Sequence, residues 1–473
     1  SFQLLQSLQN AIPTELMSKK IASLLNKKKI ANYTHFLVLP LKAAGCWDWY
    51  QYPTREYQVI FNNVYVALVL FTLLNLPLTL IVNLYTEWTD IMASLDKIAD
   101  GLPLLASVYI VAYFAYNKKE MYELIDYMNK NFKYHSARGL TNMTMEKSYL
   151  VAKNFANFYT ACTMFSITMY VTLPVIVHLW TKQPLQSWIY MDVTRFPFYQ
   201  IVFLRQYMAQ AFIGLAVGQL GVFFASNSIL LCGQLDLLCC SLRNARFTGL
   251  LMKGIHHSSL QFAYSDIVED EKHSYIYNSA ELSDSDYHYD KKVVRILLYL
   301  KLHYTYYLFF HIDIYSSEFD STTLSALREC ARMCQIVDTY KMKFESFVSP
   351  LLALRVVQVT LYLCTLLYAA TLKFDMLTVE YLGAVALDIY VYCYFGNQII
   401  IQADRVSTAA YQSWWHTAGL VPRRAILNIL LANRRPKAVR AGRFLPMDLH
   451  TFVVIIKTSF SYYTLLVNVN EKK

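Results

Sequence analysis

Six stretches of this chain are each apolar enough, over enough residues, to cross a lipid bilayer, and a seventh, more polar stretch follows near its end. They fall at about 59–84, 98–116, 150–179, 197–235, 347–372 and 377–402, with the last at about 447–469. A spanning helix needs roughly 20 mostly apolar residues, because the bilayer offers no water to pair with backbone N–H and C=O groups. The expected fold class is therefore an all-α membrane protein with seven transmembrane helices. The fourth run is too long for a bilayer. At 1.5 Å per residue it would reach about 60 Å, so its end is expected to continue into water as a helical extension. Composition agrees: 56% of residues are apolar and 16% charged, against about 25% charged in soluble domains. The 38 Tyr and 27 Phe suit membrane interfaces and apolar ligand pockets. No internal period of repeat length stands out.

The basic residues between these runs fix an orientation. Lys19, Lys20, Lys27, Lys28, Lys29, Lys42 and Arg55 precede the first run. Lys118, Lys119, Lys130, Lys133, Arg138 and Lys147 follow the second. Arg405, Arg423, Arg424, Arg434, Arg435, Lys437, Arg440 and Arg443 precede the seventh. The opposite side carries Lys97, Lys182, Arg195, Lys373, Lys472 and Lys473. Basic residues of short loops collect on the cytoplasmic face. The N-terminus is thus expected in the cytoplasm and the C-terminus outside, the reverse of G-protein-coupled receptors. The leader shows no cleavable signal-peptide pattern. The sequons Asn32-Tyr33-Thr34 and Asn142-Met143-Thr144 would then lie in the cytosol and stay unglycosylated.

This arrangement excludes several function classes. The net charge of +10 lies in loops and not on a basic patch of a soluble fold, so no nucleic acid is expected as partner. The nine cysteines fall in apolar runs or on the cytosolic side, unlike a secreted disulfide framework. Cys330 with Cys334, and His256 with His257, lack the spacing of a zinc site. Asp284, Asp286 and Asp290 lack the turn glycine and closing glutamate of a calcium loop. No metal, cofactor or catalytic residue is expected, and a secondary transporter is disfavoured by the absence of an inverted repeat. The acidic, Ser- and Tyr-rich stretch 256–292 reads as a mobile loop. On either side of it, Val293, Leu297, Leu300 and Tyr304, and Leu324, Leu327 and Ala331, recur at helical spacing.

The final run carries Thr451, Lys457, Thr458, Ser459, Ser461, Thr464 and Asn468, too many polar groups for a surface facing lipid. Ser461, Leu465 and Asn468 share one helical face at i, i+4 and i+7. Repeated about a symmetry axis, that face would stack rings: Leu465 closing a narrow pore by dewetting, and Asn468 offering ions a polar site. The other reading is packing glued by Ser and Thr hydroxyls, which spacing alone favours. Upstream, Ala425 to Leu431 forms a helical stretch too short to cross. Pro446 and Asp448 are helix-start signals for the final run.

Several of these segments resemble insect odorant receptors. Tyr392-Cys393-Tyr394-Phe395-Gly396-Asn397, followed by Ala410-Tyr411 and Trp414-Trp415, is similar to their S6–S7 region. Ala441-Gly442-Arg443-Phe444-Leu445-Pro446-Met447 resembles their AGxFxPL turn, and Thr451-Phe452-Val453 through Leu466 resembles their last helix. Leu102-Pro103-Leu104-Leu105, opening the second run, fits as well. The resemblance implies a tetrameric, odorant-gated, non-selective cation channel of the plasma membrane. It works as a homotetramer or as a heterotetramer with a co-receptor of the same family. The last helix of each subunit lines one pore, and cytosolic helical extensions form an anchor between subunits. Leu465 falls at the implied gate, with Ser461 beside it and Asn468 at the filter. The sister gustatory family ranks second, since Ser461-Tyr462-Tyr463-Thr464 departs from its closing motif; a G-protein-coupled chemoreceptor ranks lower.

In such receptors the ligand pocket lies among the second, third, fourth and sixth spans, in the outer half of the bilayer. With the orientation above, the resemblance selects Leu105, Val108 and Tyr109; Met169, Tyr170 and Leu173; Phe203, Tyr207 and Met208; and Tyr381, Leu382 and Val385. An apolar aromatic cavity suits small volatile organic molecules, with membrane lipid the other partner. Met adapts its shape, which favours broad tuning. Arg205, Arg355, Glu380 and Asp388 are costly in hydrocarbon, and Arg205 is expected to pair with an acid of the sixth span. Gly214, Gly218 and Gly221 would let the fourth span approach a neighbour closely. The expected organisation is 1–57 as a cytoplasmic N-terminal segment, 58–236 as spans one to four, 237–346 as a large cytoplasmic loop with helical parts, 347–402 as spans five and six, 403–446 as anchor and pre-pore helix, and 447–473 as pore helix and outer tail.

Overall fold

The computed structural model describes residues 32–86, 91–136, 144–181, 198–254, 316–372, 376–413, 415–434 and 438–471. Long helices stand where each apolar run was expected: α2 (Glu56–Thr86), α3 (Ile91–Tyr116), α5 (Glu146–Thr181), α6 (Phe198–Arg243), α8 (Asp320–Leu372), α9 (Met376–Tyr411) and α11 (Leu449–Glu471). Among the described residues, four of them (α2, α6, α8 and α9) are long and apolar enough to cross a membrane by length and composition. Shorter helices are α1 (His35–Ala43), α4 (Lys118–Asn131), α7 (Ala245–Met252) and α10 (Leu420–Ala432).

The helix α6 is the spine of the bundle. It has 46 residues, about 69 Å at the helical rise, and it packs against α1, α2, α3, α5, α7, α8 and α9. Its glycines explain the approach of α5: a Cβ added at Gly214 would stand 2.6 Å from Ile167, and one at Gly218 would stand 2.8 Å from Thr163. The stretch read as the fifth span, 347–372, is the second half of the unbroken 53-residue α8, which also contains Leu324, Leu327 and Ala331. The stretch 256–292 and the pattern Val293 to Tyr304 lie outside the described residues.

The bundle has two unlike ends. The end that holds α1, α4, α7 and α10, called the closed end below, is tightly packed. Phe114 of α3, Phe223 of α6 and Phe347 of α8 meet edge-on with ring centroids 5.3 to 5.7 Å apart. The Tyr340 hydroxyl donates to Asn227 Oδ1 at 2.7 Å. A buried Arg246 donates to Asp320 Oδ1 at 2.8 Å, Thr323 Oγ1 at 3.1 Å and the Ser316 carbonyl at 2.7 Å, while Asp320 also accepts from the Gly419 N–H. One guanidinium thus ties α7, the start of α8 and the entry to α10.

Two stretches read as basic loops are helices packed here. In α4, Met121, Leu124, Ile125 and Met128 are buried at i, i+3, i+4 and i+7, a helical stripe present in the sequence. In α1, Leu37 and Leu41 are buried in the same way. The first sequon is folded into this end: Asn32 Oδ1 accepts from the N–H and the hydroxyl of Thr34 at 2.9 and 3.0 Å, and Thr34 is fully buried. Of the second, Asn142 and Met143 lie outside the described residues, and Thr144 is buried.

The chain reaches α11 through a small hairpin, β1 (Arg440–Ala441) paired antiparallel with β2 (Leu445–Pro446). Its loop carries positive φ at Gly442 and Arg443 and is held to α8, where the Ser349 carbonyl and hydroxyl accept from the Gly442 and Arg443 N–H groups at 3.0 and 2.9 Å. A Cβ at Gly396 of α9 would stand 2.1 Å from the Met447 carbonyl oxygen, so only glycine lets α9 meet this junction. Asp448 caps α11, accepting from the Thr451 N–H at 2.7 Å.

Candidate ligand pocket and pore helix

At the opposite, open end, the four helices implied as pocket walls are gathered by packing, since α3, α5 and α9 all lie against α6. On α3, Leu105 is 55% exposed, Val108 is half-buried, and Tyr109 is exposed while stacking on Tyr113 at 5.9 Å. On α5, Met169 is 47% exposed; the side chains of Tyr170 and Leu173 lie outside the described residues. On α6, Phe203 and Tyr207 are half-buried and Met208 is exposed. On α9, Leu382 and Val385 are half-buried against the core, and the Tyr381 side chain lies outside the described residues. The described positions form apolar and aromatic surface, partly packed against the core, without a charge among them. A cavity of about 220 Å³ at the closed end, lined by Cys46, Trp47, Asn63, Phe114 and Lys118 among others, includes none of these residues.

The described charges within the spans are placed as follows. Arg205 donates to Asn75 Oδ1 of α2 at 3.0 Å, and the sixth-span acid Asp388 pairs instead with Arg355 of α8. Helix rotation decides this: Arg355 and Asp388 face each other across the α8–α9 contact, a relation that spacing in one dimension does not contain. The Glu380 side chain lies outside the described residues.

The helix α11 packs against α8 and α9 through one face only. Thr451, Ile455 and Ser459, at i, i+4 and i+8, are buried. On the other side, Lys457, Ser461 and Thr464 are exposed. The hydroxyls are mostly satisfied within their own helix: Thr458 donates to Val454 O at 2.8 Å, Ser461 to Lys457 O at 3.0 Å and Thr464 to Ser461 O at 2.8 Å. Ser459 donates to Ile455 O of its own helix at 2.9 Å, and alone among these also approaches another helix, with the Thr360 carbonyl of α8 at 3.4 Å. Packing accounts for Ser459 and, among the described residues, leaves the Ser461 face without a partner from another helix. The backbone of Leu465 and Asn468 continues this helix; their side chains lie outside the described residues.

Among the described residues, no three His, Cys, Asp or Glu side chains are grouped as metal ligands. The described cysteines are free thiols, all buried except Cys162. Burial raises the Cys46, Cys239 and Cys330 thiols to about 12 each, which keeps them protonated and poorly nucleophilic.

Comparison with known proteins gives a consistent picture. The 7tm odorant receptor family profile matches residues 104–460. The Drosophila melanogaster chain designated odorant receptor 85e is 24% identical over 427 residues, covering 88% of this chain and 86% of its own length. Odorant receptor 83a of the same insect is 24% identical over 365 residues, covering 74% of each. Among solved structures, the insect olfactory receptor OR5 from Machilis hrabei in complex with eugenol superposes with a TM-score of 0.67 at 16% identity, over 92% of this chain and 97% of that one.

Proposed function

The chain belongs to the 7tm odorant receptor family, whose members are receptors and not enzymes, and from that premise we propose that it is one subunit of a tetrameric, odorant-gated, non-selective cation channel. It is an all-helical, multi-pass membrane protein of olfaction. The proposal adds seven crossings of the plasma membrane, the closed end in the cytosol and the open end toward the outer leaflet. Residues 1–57, 237–346 and 403–446 are assigned to the cytosolic side. The spans are 58–236, 347–402 and the helix that begins at 447.

One observation carries the channel reading: α11 turns an unpartnered polar face away from its own subunit. A lone subunit would set Lys457, Ser461 and Thr464 against hydrocarbon. Four copies arranged about an axis would set them around water. Leu465 then forms the constriction and Asn468 the polar ring beyond it. Ligand entering between α3, α5, α6 and α9 meets Leu105, Val108, Tyr109, Met169, Tyr170, Leu173, Phe203, Tyr207, Met208, Tyr381, Leu382 and Val385. It opens the pore by binding the open arrangement more tightly than the closed one.

The test is expression of the chain alone and beside a co-receptor, with currents recorded while volatiles are applied. Eugenol is the first probe because it sits in the related Machilis hrabei structure. A ligand-evoked cation current is the expected result, from the chain alone or with the co-receptor. Absence of current in both settings, with the protein at the cell surface, would overturn the reading. A Ser461→Cys variant sharpens it: a water-soluble thiol reagent should block the current. Reagent that reaches the membrane yet leaves Ser461→Cys currents untouched counts against the pore face.

A further inference from the structure

A guanidinium at mid-depth in a bilayer is costly unless it does something there. Arg355 of α8 is 3% exposed. At the helical rise, Arg355 and Asp388 lie about 18 to 25 Å from the open ends of their helices, within the depth of a hydrocarbon core about 30 Å thick. One terminal nitrogen of Arg355 binds Asp388 of α9 and the other binds Gln358. The Tyr159 hydroxyl of α5 faces the same carboxylate. The Tyr392 hydroxyl, one turn along α9, lies beside the guanidinium. A Cβ at Gly221 of α6 would stand 3.6 Å from both tyrosine hydroxyls. Four helices therefore converge on one ion pair.

The node is incompletely bonded. Among the described residues, Arg355 Nε meets no hydrogen-bond partner, and the Tyr392 hydroxyl lies beside the guanidinium without full hydrogen-bond geometry, which is unfavourable for both. Well-packed apolar residues at a buried ion pair are often as stable or more so, so stability alone does not account for these charges. The unmet groups do offer an alternative: the guanidinium can turn from Gln358 to Tyr392 while keeping Asp388. That gives two arrangements built from the same atoms.

The position of the pair links the pocket to the pore helix. Tyr381 and Val385, both assigned to the pocket, lie on the Asp388 stripe of α9 at i−7 and i−3. On α8, Thr360 lies little more than one turn from Arg355, and its carbonyl stands 3.4 Å from the hydroxyl of Ser459 on α11, which also donates to Ile455 O of its own helix at 2.9 Å. On α9, Tyr390 meets Phe452 of α11 edge-on at 5.4 Å. A shift of α9 against α8 at the ion pair moves both surfaces on which α11 is seated.

We infer that Arg355 and Asp388 are positioning residues for gating: the pair converts ligand occupancy beside α9 into movement of α11, by exchanging between two arrangements of one buried ion pair. This rests on the channel reading above. Ligand acts only through its different affinity for the two arrangements, and the physical warrant is a discrete element that both sites bias.

The test compares wild type with the double variant Arg355→Met/Asp388→Leu, which leaves no lone buried charge, and with the charge-exchanged Arg355→Asp/Asp388→Arg. Surface protein, half-maximal ligand concentration and maximal current per surface channel are measured separately, using the volatile that gives the largest wild-type current. The expected result for the double variant is normal surface protein and a maximal current per channel reduced about tenfold, within the 5- to 150-fold range typical of coupling between sites. The charge-exchanged pair should recover part of it. A double variant with wild-type maximal current and half-maximal concentration would overturn the inference while leaving the channel intact. So would a loss confined to surface protein, which marks a purely structural role. A wild-type chain that conducts nothing overturns both readings, and this separates the two failures.

Discussion

At the closed end, α6 is buried without a break from Val222 to Leu242, whereas at the open end the same helix exposes Ile201, Leu204 and Met208. A buried arginine at the closed end and one deep within the spans are also held differently. Arg246 makes three hydrogen bonds to α8 and the chain just before it; Arg355 keeps one nitrogen unmet. A fully bonded guanidinium in a close-packed setting has one arrangement. An incompletely bonded one is less constrained. On the proposed channel reading, the closed end would hold subunits in place and the open end would yield space to a small apolar molecule.

Predictions that separate the two ends run from large to small. Phe347→Ala removes a ring from the three-helix aromatic contact and should cost about 3–5 kcal/mol, read as a loss of thermal stability of the detergent-solubilised protein; a cost below 1 kcal/mol would mean this end is not close-packed. Arg246→Ala strands the Asp320 carboxylate and should cost about 3 kcal/mol by the same measurement, with ligand concentration dependence of surviving channels unchanged. Leu465→Ala should leave stability nearly untouched and raise ligand-independent current roughly tenfold, since burial of one leucine is worth about 1.5–3 kcal/mol; unchanged basal current across several Leu465 substitutions removes it from the gate. Tyr109→Ala or Met169→Ala should change stability by no more than about 0.5 kcal/mol and shift the half-maximal ligand concentration about tenfold, equivalent to about 1.4 kcal/mol. A stability loss as large as that of Phe347→Ala would erase the contrast between the ends.

A separate effect is alkaline. Burial raises the Cys239 and Cys330 thiols from the ordinary 9.0 to about 12. A group whose pKa is higher in the folded state stabilises fully below its unfolded value and loses that contribution as pH rises through the folded one. Stability of the closed end should therefore decline between pH 9 and pH 12. Replacing both thiols by alanine should flatten that decline, and an identical pH profile in the double variant would place its cause elsewhere.

Much of this architecture was legible along the chain. Runs of apolar residues placed the long helices to within a few residues at most ends, because hydropathy and helix length are sums over neighbours. The polar face of α11 was legible for the same reason, as a pattern of period 3.6. The helix α4 also carried its stripe in plain view, at Met121, Leu124, Ile125 and Met128, but a high density of lysine made it read as a loop. The pocket positions came from a family resemblance, and the structure adds that their helices surround α6.

Sequence alone determined where the long apolar runs lie, where their basic flanks fall and which side of the last one is polar. Tertiary structure decided which charge meets which. Arg355, not Arg205, holds Asp388, because partner choice depends on how two helices rotate against each other and on their relative depth. Neither quantity is local in the chain, and in low dielectric a turn of one helix decides whether a charge is paired or stranded.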